Sequence, residues 1–278
     1  IVGLGRQADA EYLHSKGFKY LAPSVVYVAE NDRYETKLKS EKSGNPLQEC
    51  SLEDIQNIKD DFVSSAAKAF EAGSDAIEIH GANGYLLNQF LDKKTNKRTD
   101  KYGTSNNEDR ARLFLEVYDE IVAAHGNDRV GIRLSPFGLM GDMTAATDPE
   151  DTVQFYKFLY QELEKRRLAG KGPLYISLIE PRTDEIDLSQ ENEKVSNEFV
   201  FDNFKGVVIR AGNIILDNEY TKKIVDQNDK TLIAFGRYFI SNPDLIERLE
   251  KGLEINEYDR DTFYTGGIKG YVDYDYHK

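Results

Sequence analysis

Two hydrophobic periods take turns along this chain. From Ser51 the period is helical, with Ile55, Ile58, Phe62, Ala66, Ala69 and Phe70 recurring three or four residues apart. Ser51 is a good N-cap and Asp54 stands three residues on, which predicts a helix from here to a stop at Gly73. The period then drops to two. Ile77 and Ile79 alternate with Ala76, Glu78 and His80, predicting a short buried strand with those last three on one face. The succession repeats. Helices predicted over 107–125 and 149–168 lead into strand-like runs at 129–135 and 173–179. A loop over 180–205 precedes a run at 207–213, a helix over 218–227 leads into 231–237, and a helix over 242–251 precedes an aromatic tail. Helix, short turn and buried strand form the αβ half of a βαβ unit, so the repetition predicts a parallel sheet covered by helices.

The N-terminal part is less regular. Ile1-Val-Gly-Leu4 is a strand-like stub, residues 8–16 suit a short helix closed by Gly17, and 18–50 read as a long polar loop containing Pro23 and Pro46. Counting the stub apart, five strands are clear. Polar or glycine residues follow every one of them: His80, Arg133 with Ser135, Glu180, Gly212 with Asn213, and Gly236 with Arg237. An open doubly wound sheet concentrates its site at one switch point, whereas a barrel gathers all its strand ends on one face. The distribution predicts a (β/α)8 TIM barrel, an α/β fold, as a single domain over 1–278. Because such a barrel has eight strands, the first two and most of the third are expected to precede Ile1.

Composition narrows the function. The net charge of −13 opposes a nucleic-acid partner, since no basic face offers itself to phosphates. A hydrophobic share of 40% suits a packed core, and no apolar run approaches the roughly 20 residues of a membrane span. Cys50 is the only cysteine, which precludes an intrachain disulfide and suggests a reducing, cytoplasmic setting. The four histidines show no paired metal-ligand spacing, so no metal is expected.

The candidate chemistry centres on Asp75-Ala-Ile-Glu-Ile-His80-Gly-Ala-Asn83-Gly-Tyr85. An imidazole, a carboxamide and a phenol follow one strand end within five residues, where α/β folds place their chemistry. A histidine alone is as readily a core residue; the triple points to a site. Glycines at the last two strand ends let backbone N–H groups approach an anion and Arg237 adds a planar donor, so Gly212, Asn213, Gly236 and Arg237 form a candidate phosphate site. Each glycine alone reads more readily as an ordinary strand-ending turn; the pair at consecutive strand ends, with an arginine, points to phosphate. Arg133 shares a face with Gly131 and Ser135 and is the better ligand candidate, suited to the N1–C2 edge of a flavin. Arg210 and Glu78 are expected to answer each other as an ion pair inside the barrel. Glu78 and Glu180 allow a glycosidase pair as a rival, opposed by the depth of Glu78 and the absence of tryptophan. The charged run from Asn96 to Arg112 reads mostly as a solvated loop and helix start, capped by Asn106 or Asn107.

Longer motifs carry a resemblance. His80-Gly-Ala-Asn83-Gly-Tyr85-Leu-Leu-Asn-Gln-Phe-Leu91, Arg98-Thr-Asp-Lys-Tyr-Gly103, Ile132-Arg133-Leu-Ser-Pro136 and Ile209-Arg-Ala-Gly-Asn213 closely resemble the Old Yellow Enzyme family. Phe235-Gly-Arg-Tyr-Phe-Ile-Ser-Asn-Pro-Asp-Leu245 and Tyr258-Asp-Arg-Asp-Thr-Phe-Tyr264 extend the match in order across nearly the whole chain, which looks most like the NADPH dehydrogenase branch. The resemblance implies an FMN-containing barrel in which NADPH reduces the flavin and hydride passes to an activated alkene, an enone or quinone. It implies that His80 and Asn83 hydrogen-bond the substrate carbonyl and that Tyr85 protonates the α-carbon. It further implies that Arg133 meets the flavin ring, that Gly212, Asn213, Gly236 and Arg237 meet the phosphate, and that Tyr264 lines the substrate pocket. A homodimer is compatible with it. Relatives carry roughly a hundred residues before the start of this chain, including flavin contacts. Val2 stands where they usually have a large aromatic, and 102–110 holds one extra residue against their pattern, with Asp109 at the asparagine place. A second reading is therefore a partial barrel that binds flavin poorly and does not catalyse.

Overall fold

The computed structural model describes residues 1–29, 35–143, 148–181, 196–212 and 218–277. It divides into two compact units, 1–210 and 211–278. In the first, α1 (Ala10–Ser15) is capped by Asp9, and β1 (Tyr20–Ala22), α2 (Thr36–Ser43) and β2 (Leu47–Glu49) follow. β1 and β2 pair in parallel, so the stretch expected to be an irregular loop holds a small sheet of its own. Its strands are three residues each, too short for periodicity to register. α3 (Leu52–Glu71) begins with the expected capping box, in which Ser51 and Asp54 satisfy each other's backbone N–H groups. β3 (Ile77–Gly81), the short α4 (Leu86–Leu91), α5 (Asn107–His125), β4 (Val130–Leu134), α6 (Pro149–Leu168), β5 (Ile176–Ile179), the short α7 (Val200–Asn203) and β6 (Val208–Ala211) complete the succession. Asn106 caps α5, its side chain accepting from the Asp109 N–H at 2.7 Å.

β3 to β6 lie side by side in chain order, with β3–β4 and β4–β5 parallel. The stub joins them: the Ile1 nitrogen donates to the Glu78 carbonyl at 2.6 Å, and His80 N–H donates to the Ile1 carbonyl at 3.0 Å. Parallel neighbours in sequential order with helices between them are the build of a (β/α)8 barrel wall. Ile77, Ile79, Val130, Ile132, Ile176 and Leu178 turn outward and are buried against Phe62, Ala66, Phe114, Tyr118 and Leu159 of the helices. Each fully buried side chain of this kind contributes about 1.5–3 kcal/mol.

Register decides what shares the inner face. His80 stands opposite Arg133, Arg133 opposite Ser177, and Glu78 opposite Gly131. The Tyr175 ring lies against Gly131, where a Cβ would stand 2.4 Å from it. Burial and the charge of nearby Glu78 push the Tyr175 phenol up to about 12. The expected Arg210–Glu78 pair does not form. The pleat sends Arg210 to the helix side, where it donates to Glu180 at 2.6 Å and to Glu198 at 2.5 Å. Burial alone would lower the pKa of this guanidinium; the two carboxylates reverse that and raise it. Glu78 and Glu180 thus lie on opposite faces, which removes the glycosidase pair. The run from Asn96 to Arg112 is also less solvated than expected. Asn96, Arg98 and Arg110 are buried, Arg98 donating to the carbonyls of Pro23 and Cys50 and Arg110 stacking 3.9 Å from the Phe155 ring centre.

In the second unit, α8 (Asn218–Gln227), β7 (Thr231–Ala234), α9 (Arg237–Ser241) and α10 (Leu245–Lys251) follow one another. Tyr238 and Leu245 are its buried centre, with Phe235, Leu249, Ile255 and Tyr258 packed around them. Asn242 exchanges two hydrogen bonds with the Asn256 backbone and ties the following segment to α9.

Replacing Glu180 with Ala removes the buried partner of Arg210 and is expected to cost about 3–5 kcal/mol, read from the midpoint of urea unfolding. A loss below about 1 kcal/mol would show that the half-exposed Glu198 suffices.

Candidate active site

β3 delivers His80 to the inner face one residue before its end, and the chain then turns sharply. Asn83 occupies the left-handed region at φ 56°, followed by Gly84 at 69°. For an L-residue with a Cβ this conformation costs roughly 1 kcal/mol, and asparagine tolerates it better than most. Both peptides of the turn are held by side chains. Asn83 N–H donates to Ser135 Oγ at 2.9 Å, and its carbonyl accepts from Gln7 Nε2 at 2.8 Å. Gly84 N–H donates to Asn88 Oδ1 at 2.8 Å, and its carbonyl accepts from Gln89 Nε2 at 2.7 Å. Tyr85 then sits in extended backbone as the N-cap of α4, and its ring lies 5.3 Å from that of His80 at 58°. The turn thus follows His80 at the strand end with Asn83 and Tyr85, and it sets the His80 and Tyr85 rings against each other.

The electrostatics are set by burial and neighbouring positive charge. Desolvation, then the positive charge of Arg133 on the neighbouring strand, push the His80 imidazole down to about 4, so the ring is neutral at pH 7. His80 Nε2 and Arg133 Nε are both buried without a hydrogen-bond partner among the described residues. Two unmatched polar nitrogens side by side on one face are rare in a finished core. They fit a polar, planar ligand laid across the strand ends. A flavin suits Arg133, whose fixed cation answers negative charge at the ring's N1–C2 edge, and a carbonyl suits His80.

The sequence pattern does not single out Gln7, which reaches Asn83 across 76 residues, Gln89, which bonds both Gly84 and Leu4, or the buried Arg6 next to Gln7. Arg6 donates to the carbonyls of Val26, Tyr27, Gly141 and Asp142. No periodic signal marks such residues, because their partners are backbone groups. Of the other predicted positions, Gly212 follows β6 directly, and Asn213 lies outside the described residues. In the second unit Gly236 precedes α9 with open space where a Cβ would be, while Arg237 bonds the Tyr258 hydroxyl and lies 5.0 Å from its ring centre. Tyr264 is 93% exposed.

Comparison with known proteins bears on this site. The model of the NADH:flavin oxidoreductase / NADH oxidase family matches residues 1–256. Enoate reductase 1 of Kluyveromyces lactis is 46% identical over 276 residues, 98% of this chain and 67% of that protein. A probable NADPH dehydrogenase of Candida albicans is 42% identical over 277 residues, 98% of this chain and 66% of that protein. Among solved structures, Old Yellow Enzyme from Pichia sp. AKU4542 is similar with a TM-score of 0.86 at 38% identity, covering 99% of this chain and 67% of its own. Morphinone reductase in complex with tetrahydroNAD gives a TM-score of 0.79 at 32% identity, covering 99% and 71%. The chain spans about two thirds of the length of these relatives.

The depressed His80 pKa has a sign that can be checked. Between pH 6.5 and 4 the unfolded state binds a proton at this ring that the folded state does not, so this contribution to stability is full above 6.5 and lost as pH falls toward 4. An NMR titration is expected to place His80 near 4, and His80→Gln is expected to flatten the stability profile over that window. A titration midpoint at 6.5 would contradict the burial argument.

Proposed function

Because this chain belongs to the NADH:flavin oxidoreductase / NADH oxidase family, we propose that it supplies the catalytic edge of an FMN-dependent, NADPH-consuming ene-reductase. Its substrates are α,β-unsaturated carbonyl compounds, enones or quinones. The observation that carries this is the unpartnered His80 Nε2 beside the unpartnered Arg133 Nε, with the Tyr85 phenol next to the imidazole. FMN, when bound, would supply the hydride chemistry, from NADPH to the β-carbon of the alkene.

The chain's own residues have three tasks. His80, neutral and therefore holding one N–H, and the Asn83 carboxamide donate to the substrate's carbonyl oxygen, where negative charge grows as hydride arrives. A charged imidazolium would be costly so close to Arg133; a neutral donor is not. Tyr85 gives its proton to the α-carbon, and a free phenol, with a pKa of about 10, is protonated at neutral pH. Arg133 meets the flavin ring, and Gly212, Asn213, Gly236 and Arg237 are assigned to its phosphate, with Tyr264 at the substrate. The last five rest on the family's motifs, matched residue by residue. We read residues 1–278 as part of one barrel domain. No helix among the described residues is long and apolar enough to cross a membrane, and we place the protein in the cytoplasm, with its NADPH supply.

The full-length protein is expected to purify yellow; protein that remains colourless after addition of FMN would overturn the flavin reading. Tyr85→Phe is expected to slow alkene reduction by about a hundredfold or more while sparing flavin reduction by NADPH. Equal losses in both half-reactions, measured by stopped flow, would refute the role of the phenol.

A further inference from the structure

We propose that Gln7 is a positioning residue for this reaction, acting through Asn83, with Ser135 as its counterpart on the other side of the same residue. The inference rests on Asn83 being a donor to the substrate carbonyl. Asn83 is one of two described non-glycine residues with positive φ, the other being Asp142. A side chain in that conformation points where the turn sends it, so the aim of the carboxamide depends on what holds the backbone. Gln7 Nε2 holds the Asn83 carbonyl at 2.8 Å and Ser135 Oγ the N–H at 2.9 Å.

The path of Gln7 is built for this contact. Its carboxamide passes between Gly84 and Gly141; a Cβ on Gly84 would stand 2.9 Å from Nε2, and one on Gly141 would stand 2.5 Å from it. Any side chain at either glycine displaces it. The neighbouring Arg6 is fully buried and bound to the carbonyls of Gly141 and Asp142, so the backbone that carries Gln7 is anchored to the same loop that admits it. Ser135 lies two residues beyond Arg133 on the same strand run and the same face. Asn83 is therefore registered against the strand that carries the cation beside His80. Take away the Gln7 amide, and the Asn83 carbonyl loses this donor while its N–H keeps its acceptor. The peptide after Asn83 is then held through its Gly84 N–H on Asn88 Oδ1 and no longer by Gln7 at its carbonyl, and the aim of the carboxamide loosens.

The test uses the full-length, FMN-loaded protein and kcat/KM for alkene reduction per bound flavin. Gln7→Leu is expected to lower it about tenfold, and to accelerate amide exchange at Gly84, whose N–H shares the peptide that Gln7 holds, a readout independent of turnover. Gln7→Glu sets a carboxylate against a carbonyl oxygen at neutral pH; activity is expected to recover as pH falls and the acid becomes a donor, a dependence the native protein does not share. In an Asn83→Ala background Gln7→Leu is expected to add less than a twofold loss. Wild-type activity per flavin in Gln7→Leu, or losses that multiply in the double variant, would overturn the proposal. Full activity in Asn83→Ala would instead refute the role of Asn83 itself, and the proposal would fall with it. If Gln7→Leu does not fold, Ser135→Ala goes through the same cycle with the same expected outcomes.

Discussion

The candidate site depends on the backbone N–H and carbonyl groups of Asn83 and Gly84 being held in a left-handed turn by side chains from three separate segments. A turn of this kind has no ladder to stabilise it, and without these bonds its buried N–H and carbonyl groups would be orphaned. Gln7 reaches it from before α1, Ser135 from the end of β4, and Asn88 and Gln89 from the helix that the turn itself begins. Tyr85 is the N-cap of that helix, so the backbone that carries the phenol leaves the same turn that carries Asn83.

Charge is partitioned by the pleat. The inner face carries His80, Arg133 and Glu78, whose buried nitrogens at Arg133 and His80 have no protein partner among the described residues. The outer face carries Arg210, which is also buried but is matched by Glu180 and Glu198. One arginine is matched by two carboxylates and the other keeps a buried Nε without a protein partner among the described residues, although the two occupy similar places near strand ends. That contrast separates a structural cation from a candidate binding one, and it explains the neutral imidazole, since a second positive charge beside Arg133 in a desolvated place is unfavourable.

Helix caps and strand periods were legible from the residues. The Ser51–Asp54 box, the Asn106 cap, the limits of α5 and α6, and the facing of His80 and Arg133 all follow from spacing and local chemistry, which act over three or four residues. The grouping of His80, Asn83 and Tyr85 was legible for the same reason, being carried by one short turn. The sequence by itself therefore determined the succession of the main helices and strands from α3 onward, the two faces of β3 and β4, and the residue types at each strand end. Tertiary structure decided which distant groups meet. It chose Glu180 rather than Glu78 for Arg210, buried Arg98 and Arg110 in a stretch that reads as solvent-facing, drew β1 and β2 into a sheet across 25 residues, and set Gln7 against Asn83. Those outcomes depend on register and on the geometry of close approach between segments, and neither leaves a trace in the local pattern of a chain.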